Sequence, residues 1–147
     1  MIQQKFVKYW LPVIIWMCFI FWMSTDTFSS ENTSMVIGPI LHLIFPSLSA
    51  ETLDMIHGLI RKSAHVVEYF VLGLLLFRAF RSDSSQTWDR RWTIYTVIVV
   101  FLYAMSDEFH QISVTSRSSS IFDVGLDTAG GVLSQIAIML RLTVLNK

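Results

Sequence analysis

Apolar residues in this chain arrive in blocks rather than at helical intervals. The blocks run from about Tyr9 to Met23, Ala64 to Phe80, Trp92 to Ser106 and Ile121 to Leu140. Runs of this kind with few charges are the pattern of membrane spans, because about 20 helical residues cross a hydrocarbon core of about 30 Å. A segment in lipid must satisfy its backbone hydrogen bonds internally, which makes each block a helix. The predicted fold is therefore all-α, a polytopic bundle of four transmembrane helices forming a single membrane domain over residues 1–147. Several blocks fall short of a full span, so the polar residues at their ends are expected at membrane depth. Lys5 and Lys8 give the first block the look of a signal peptide. The STDTFSSENTS that follows offers no Ala-based cleavage site, so the block reads as a retained helix, started or kinked at Pro12.

Between the first two blocks, about residues 35–60 carry a weaker pattern. MVIGPILHLIFP is apolar but too short to span, and Pro39 and Pro46 are expected to break it. A second piece begins near SAETLDMIHGLI, where Ser49 can cap a helix start, Glu51 sits in the first turn, and Leu53, Ile56 and Ile60 share a face. The expectation is short interfacial or re-entrant helices lying across one face of the bundle. His42 and His57 fall here and read as solvated.

Composition agrees with a membrane protein: 53% of the residues are hydrophobic and 15% charged. A formal net charge of zero gives no reason to expect nucleic acid as a partner. The single cysteine, Cys18, excludes an internal disulfide and a cysteine-built metal site. With the N-terminus in the cytoplasm, four spans return the C-terminus there. Lys5, Lys8, Arg78, Arg81, Arg90, Arg91, Arg141 and Lys147 then lie inside, eight of the eleven basic residues. Trp88 and Trp92 suit an interfacial anchor at the third span.

In that orientation the unusual ionisable residues gather in the outer half. Lys62, His65 and Glu68 or Tyr69 recur at three- and four-residue steps on the second span. Asp107, Glu108, His110 and Gln111 end the third, the next loop supplies Arg117, and Asp123 and Asp127 open the fourth one turn apart. Gly130 and Ser134 continue that face as a small-xxx-small step, which lets a neighbouring helix approach closely. A charged side chain at the centre of a bilayer costs roughly 2.5–3.5 kcal/mol on insertion scales, so such residues need pairing or water. Five acids (Glu68, Asp107, Glu108, Asp123, Asp127) face two good cations, Lys62 and Arg117. The excess calls for protonation, a bound metal or a wet cleft. Arg61 reads as an anchor whose head reaches the interface.

These residues stand in an order that resembles the VanZ-like membrane proteins. The likeness lies in RKxAHxxEY on one span, DExHQ closing the next, then an Arg and an Asp leading into a Gly-containing helix. It extends over roughly residues 10–140, including the serine-rich FSS turn after the first span. It rests on the ordered set Lys62, His65, Asp107, Glu108, Gln111, Arg117 and Asp123. The chain departs from the family pattern at Thr115-Ser116, where a Pro-Gly-like turn is usual, at Asp127, where Asn is common, and at Ser134, where Gly is frequent. The family's namesake is associated with low-level resistance to the glycopeptide teicoplanin. The resemblance thus implies a multi-pass protein of a bacterial cytoplasmic membrane, concerned with the cell envelope.

Three functions are compatible with this pattern. The first is an enzyme or binder acting on a membrane lipid or lipid-linked cell-wall precursor. Asp107, Glu108 and His65 would then supply acid–base or ligand chemistry, and Lys62, Arg117, Gln111 and Asp123 would hold the headgroup. Glu68, Tyr69, His110 and Asp127 would be secondary, and a divalent cation could be held by the oxygens and imidazoles. The second is ion or proton translocation, disfavoured because the inner halves of the spans are nearly free of ionisable groups. The third is a polar cluster that only holds the bundle together. Oligomeric state stays open.

Overall fold

A computed structural model describes residues 2–112 and 120–145. The chain opens with α1, Ile2–Lys5, which passes through a π-helical turn at Phe6–Trp10 into α2, Leu11–Met23. Pro12 falls in the first turn of α2. Its missing N–H is tolerated there, and the wider π turn before it absorbs the change of register. A short 3₁₀ turn at Asp26–Phe28 leads to α3, Ser30–Ile44, capped by the Ser29 side chain accepting from Asn32 N–H. Then come α4, Ala50–Arg81, α5, Arg90–Ile112, and α6, Ile121–Leu145.

Among the described residues, four helical segments are long and apolar enough to cross a membrane: Gln3–Met23, Ala50–Arg81, Arg90–Ile112 and Ile121–Val144. All are longer than the apolar blocks that announce them. The largest correction concerns α4. The segment expected as a second interfacial helix is the first three turns of this one 32-residue helix. Ser49 caps it as anticipated, accepting from Thr52 N–H at 3.3 Å, but nothing breaks the helix before the span. Hydropathy reports where a helix meets lipid, whereas backbone propensity decides where it continues, and the stretch from Asp54 to Lys62 holds no proline. Pro39 also corrects its expectation. It lies inside α3 without ending it, and Pro46 follows the helix end.

At about 1.5 Å per residue α3 is only about 22 Å long, too short to span. It packs instead against α4. His57, expected to be solvated, is buried in that contact, with Nε2 3.1 Å from the Thr33 hydroxyl. His42 remains exposed.

The core lies among the spanning helices, built from Val13, Ile20, Tyr69, Leu72, Leu76, Val100 and Ala104. Its tightest seam joins α4 to α6. A Cβ on Gly130 would strike the Val66 carbonyl of α4, while on the adjoining face of α6 a Cβ on Gly131 would come within 2.6 Å of Val100 Cγ1 of α5. Gly73 faces Ser134 across the same seam. Gln135 closes it by donating to the Ser134 hydroxyl at 2.9 Å and the Gly73 carbonyl at 3.3 Å. This is small-residue packing of the kind that brings backbones together in lipid, where no hydrophobic force separates helix from tail.

The opposite end of the bundle carries a charged latch. Asp83, just past α4, pairs with Lys5 at 3.4 Å and Lys8 at 3.2 Å and accepts from the Tyr9 hydroxyl. Those hydrogen bonds, Tyr9 first and Lys8 second, pull the Asp83 carboxyl down to about 2. The contribution of this group is present above its ordinary range and lost as pH falls through that value.

Because Gly130 meets backbone, Gly130→Ala is expected to destabilise the bundle by about 1–3 kcal/mol. Gly125, with open space around its Cα, is expected to accept Ala with no loss, or with a gain of up to about 1 kcal/mol. Reversible unfolding in mixed micelles measures both, and equal effects would contradict the seam.

Candidate functional site

The helices place their charges at matching heights. At 1.5 Å per residue, Arg61 stands about 30 Å from Arg81 along α4, Asp107 about 24 Å from Arg91 on α5, and Asp123 about 27 Å from Arg141 on α6. Those spacings approach the thickness of a hydrocarbon core, about 30 Å. One set of charges therefore sits at each edge. The twelve residues of α4 before Lys62 rise beyond the core, with α3 packed beside them.

At this edge a cavity of about 270 Å³ opens between α4, α5 and α6. Lys62, His65, Glu108, Gln111, Asp123 and Asp127, all read from the sequence as site residues, line it together with Arg61 and Ser120. Lys62 Nζ reaches Asp123 Oδ1 at 2.9 Å, with the lysine side chain 56% exposed. One turn deeper, His65 Nδ1 lies 3.7 Å from Asp127 Oδ1. Asp127 is 1% exposed, and no hydrogen bond reaches either of its carboxylate oxygens among the described residues. Glu108 Oε2 accepts the Ser120 backbone N–H at 2.8 Å, tying the end of α5 to the start of α6.

Asp107 lies behind this wall, 2% exposed. Its Oδ2 accepts from the Ser24 hydroxyl at 2.7 Å and from Gln111 Nε2 at 3.2 Å. Ser24 is the residue that ends α2, so the first span also contributes to the site. Further down, the Trp16 indole donates to the Glu68 carbonyl at 2.9 Å and the Tyr103 hydroxyl to the Met17 carbonyl at 2.6 Å.

A second cavity, about 410 Å³ and mostly apolar, lies between α2, α3 and α4. Val36, Ile37, Phe28 and Ile60 form its greasy walls, and Arg61, His65 and Glu68 its polar edge. The stripe on α4 thus forks at His65. Lys62 and His65 face the polar cavity, while Arg61, His65 and Glu68 face the apolar one. Tyr69, the alternative member of that stripe, is fully buried in the core instead. His110 packs its ring against Phe21, centroids 4.4 Å apart, and lines neither of these cavities. Arg117 lies outside the described residues.

Arg61 was set apart by the sequence pattern as an interfacial anchor, yet it walls both cavities. The steps Arg61, His65, Glu68 follow the same helical spacing as Lys62, His65, Tyr69, so periodicity alone could have found it. Ser24 had a weaker signal, a hydroxyl just beyond an apolar block. Ser120 acts through its backbone, which side-chain chemistry does not reveal.

Helices of spanning length around a polar cleft at one bundle edge define a multi-pass, all-helical membrane protein. The VanZ/LLP1 family model matches residues 9–142. The chain belongs to that family. No curated protein and no solved structure matches it.

The Lys62–Asp123 pair is solvated, and solvated pairs contribute little to stability. A double-mutant cycle with Lys62→Met and Asp123→Asn, read by unfolding in micelles, is expected to give a coupling of no more than about 1 kcal/mol. A much larger coupling would mark the pair as a structural clamp.

Proposed function

We propose that this VanZ-family protein binds the anionic headgroup of a membrane lipid or lipid-linked cell-wall precursor at the outer leaflet. The observation that carries this reading is the junction of two cavities, one polar and one apolar, at Arg61 and His65. An amphiphile needs such a pair, with a wet place for its head beside a greasy place for the start of its tail. Arg61 and Lys62 supply the donors, Arg in a fork that suits phosphate or carboxylate and Lys as a point charge. Gln111 adds a neutral donor beside them.

The distribution of basic residues supports the orientation. The edge opposite the cleft carries Lys5, Lys8, Arg78, Arg81, Arg90, Arg91 and Arg141, which favours a cytoplasmic location for it and for both termini. The cleft then faces the outer side of a bacterial cytoplasmic membrane. Sequestering an exposed cell-wall precursor there would reduce glycopeptide access to it, in keeping with the family's link to teicoplanin resistance. Translocation finds less support. No charged side chain lies between Glu68 and Arg78, between Arg91 and Asp107, or between Asp127 and Arg141.

A charge-assisted hydrogen bond is worth about 1.5–3 kcal/mol, or roughly 10-fold or more in affinity. Arg61→Met and Lys62→Met are therefore each expected to weaken retention of phosphatidylglycerol or an undecaprenyl-linked precursor by at least ~10-fold. Native mass spectrometry of the purified chain measures this. Arg91→Met, at the other edge, should retain what the wild type retains. Wild-type retention in both cleft variants would contradict the reading.

A further inference from the structure

We propose that His65, Asp107 and Asp127 bind a divalent transition-metal cation of the Zn²⁺ or Mn²⁺ class at the floor of the cleft. The three residues come from three different helices, α4, α5 and α6. One potential ligand atom from each lies within 4.8 Å of the others. In a zinc site with bonds of about 2.1 Å, neighbouring donors stand about 3.4 Å apart. Ligation therefore draws the outermost pair together by no more than roughly 1.4 Å, within reach of side-chain rotation. The His65–Asp127 pair, at 3.7 Å, is already close to that spacing.

Asp127 points most directly to a ligand. Its side chain is buried, it lines the cavity, and both oxygens lack a hydrogen bond among the described residues. The His65 imidazole is its neighbour but stands beyond hydrogen-bond distance. Buried carboxylates are normally satisfied, because the alternative in a low dielectric is costly. A cation seated between Asp127, Asp107 and His65 would satisfy the Asp127 oxygens.

The surroundings have the form of an outer shell. Ser24 and Gln111 both donate to the same Asp107 oxygen, Oδ2, at 2.7 and 3.2 Å. Such contacts fix the orientation of a ligating carboxylate. One imidazole with two carboxylates suits Zn²⁺ or Mn²⁺ better than an all-oxygen Ca²⁺ cage or a thiolate metal. Three protein ligands leave further positions open, and His65 and Asp127 both line the polar cavity. The site stands independently of the headgroup reading.

The test uses the purified full-length chain in detergent, stripped with chelator and titrated separately with Zn²⁺, Mn²⁺ and Ca²⁺. Calorimetry and elemental analysis are expected to show one Zn²⁺ or Mn²⁺ per chain. His65→Gln and Asp127→Asn should lower that affinity by at least ~100-fold and Ser24→Ala by ~10-fold, by analogy with outer-shell losses of about 10–100-fold. His42→Gln should bind as the wild type does, and so should Arg61→Met, which separates this site from headgroup binding. Unchanged affinity in both His65→Gln and Asp127→Asn would overturn the proposal. Should those variants fail to fold, Co²⁺ added to the wild type decides: ligand-field bands support the site and their absence overturns it.

Discussion

The close approach of α4 and α6 at Gly130 is the contact on which the other distances depend. Lipid tails are as apolar as the helices they surround, so association in a membrane draws on packing and on the few polar bonds between helices. Here the seam runs through Gly73, Gly130, Gly131 and Ser134, with Gln135 bonded across it. Asp127 and Asp123 lie about one and two turns before Gly130 on α6, while Lys62 and His65 precede Val66 on α4. The seam therefore sets the 2.9 Å separation of Lys62 and Asp123 and the 3.7 Å separation of His65 and Asp127. A side chain at Gly130 would push α6 away and open both.

α2 and α5 complete the enclosure by a different route. Besides their share of the apolar core, they contribute hydrogen bonds from side chains to backbone carbonyls or to Asp107, from Trp16, Tyr103 and Ser24. In the membrane such bonds are each worth about 0.6–2 kcal/mol, enough together to fix an orientation. The first span is thus more than an anchor: its terminal serine reaches the buried carboxylate behind the cleft. Above the bundle, the extension of α4 and the short α3 form a roof. The Thr33–His57 contact joins its two pieces, and the apolar cavity lies against them.

The four spans were legible because hydropathy records lipid exposure, and their polar ends were legible because charge at the edge of lipid is rare. The continuity of α4 was not. Its first turns carry Glu51, Asp54, His57, Arg61 and Lys62, which end a hydropathy signal without ending a helix. Pro39 misled in the opposite sense, since helix α3 continues past it. Burial was the other hidden quantity. His57 reads as solvated until α3 is known to lie over it. Asp127 reads as secondary until the seam is known to carry it beneath Asp123, against His65. Periodicity names the members of a helical stripe, but the fork at His65 depends on which neighbour stands on either side.

The proposed function requires the polar cleft to open to water on the outer side of the membrane. The most direct measurement is thiol accessibility in intact cells, with Cys18 replaced by Ser and single cysteines introduced as Lys62→Cys, Asp123→Cys, Arg78→Cys and Arg141→Cys. A membrane-impermeant maleimide added outside should modify the first two at once, and the last two only after permeabilisation. Labelling of Arg78→Cys and Arg141→Cys in intact cells, with Lys62→Cys and Asp123→Cys protected, would contradict it.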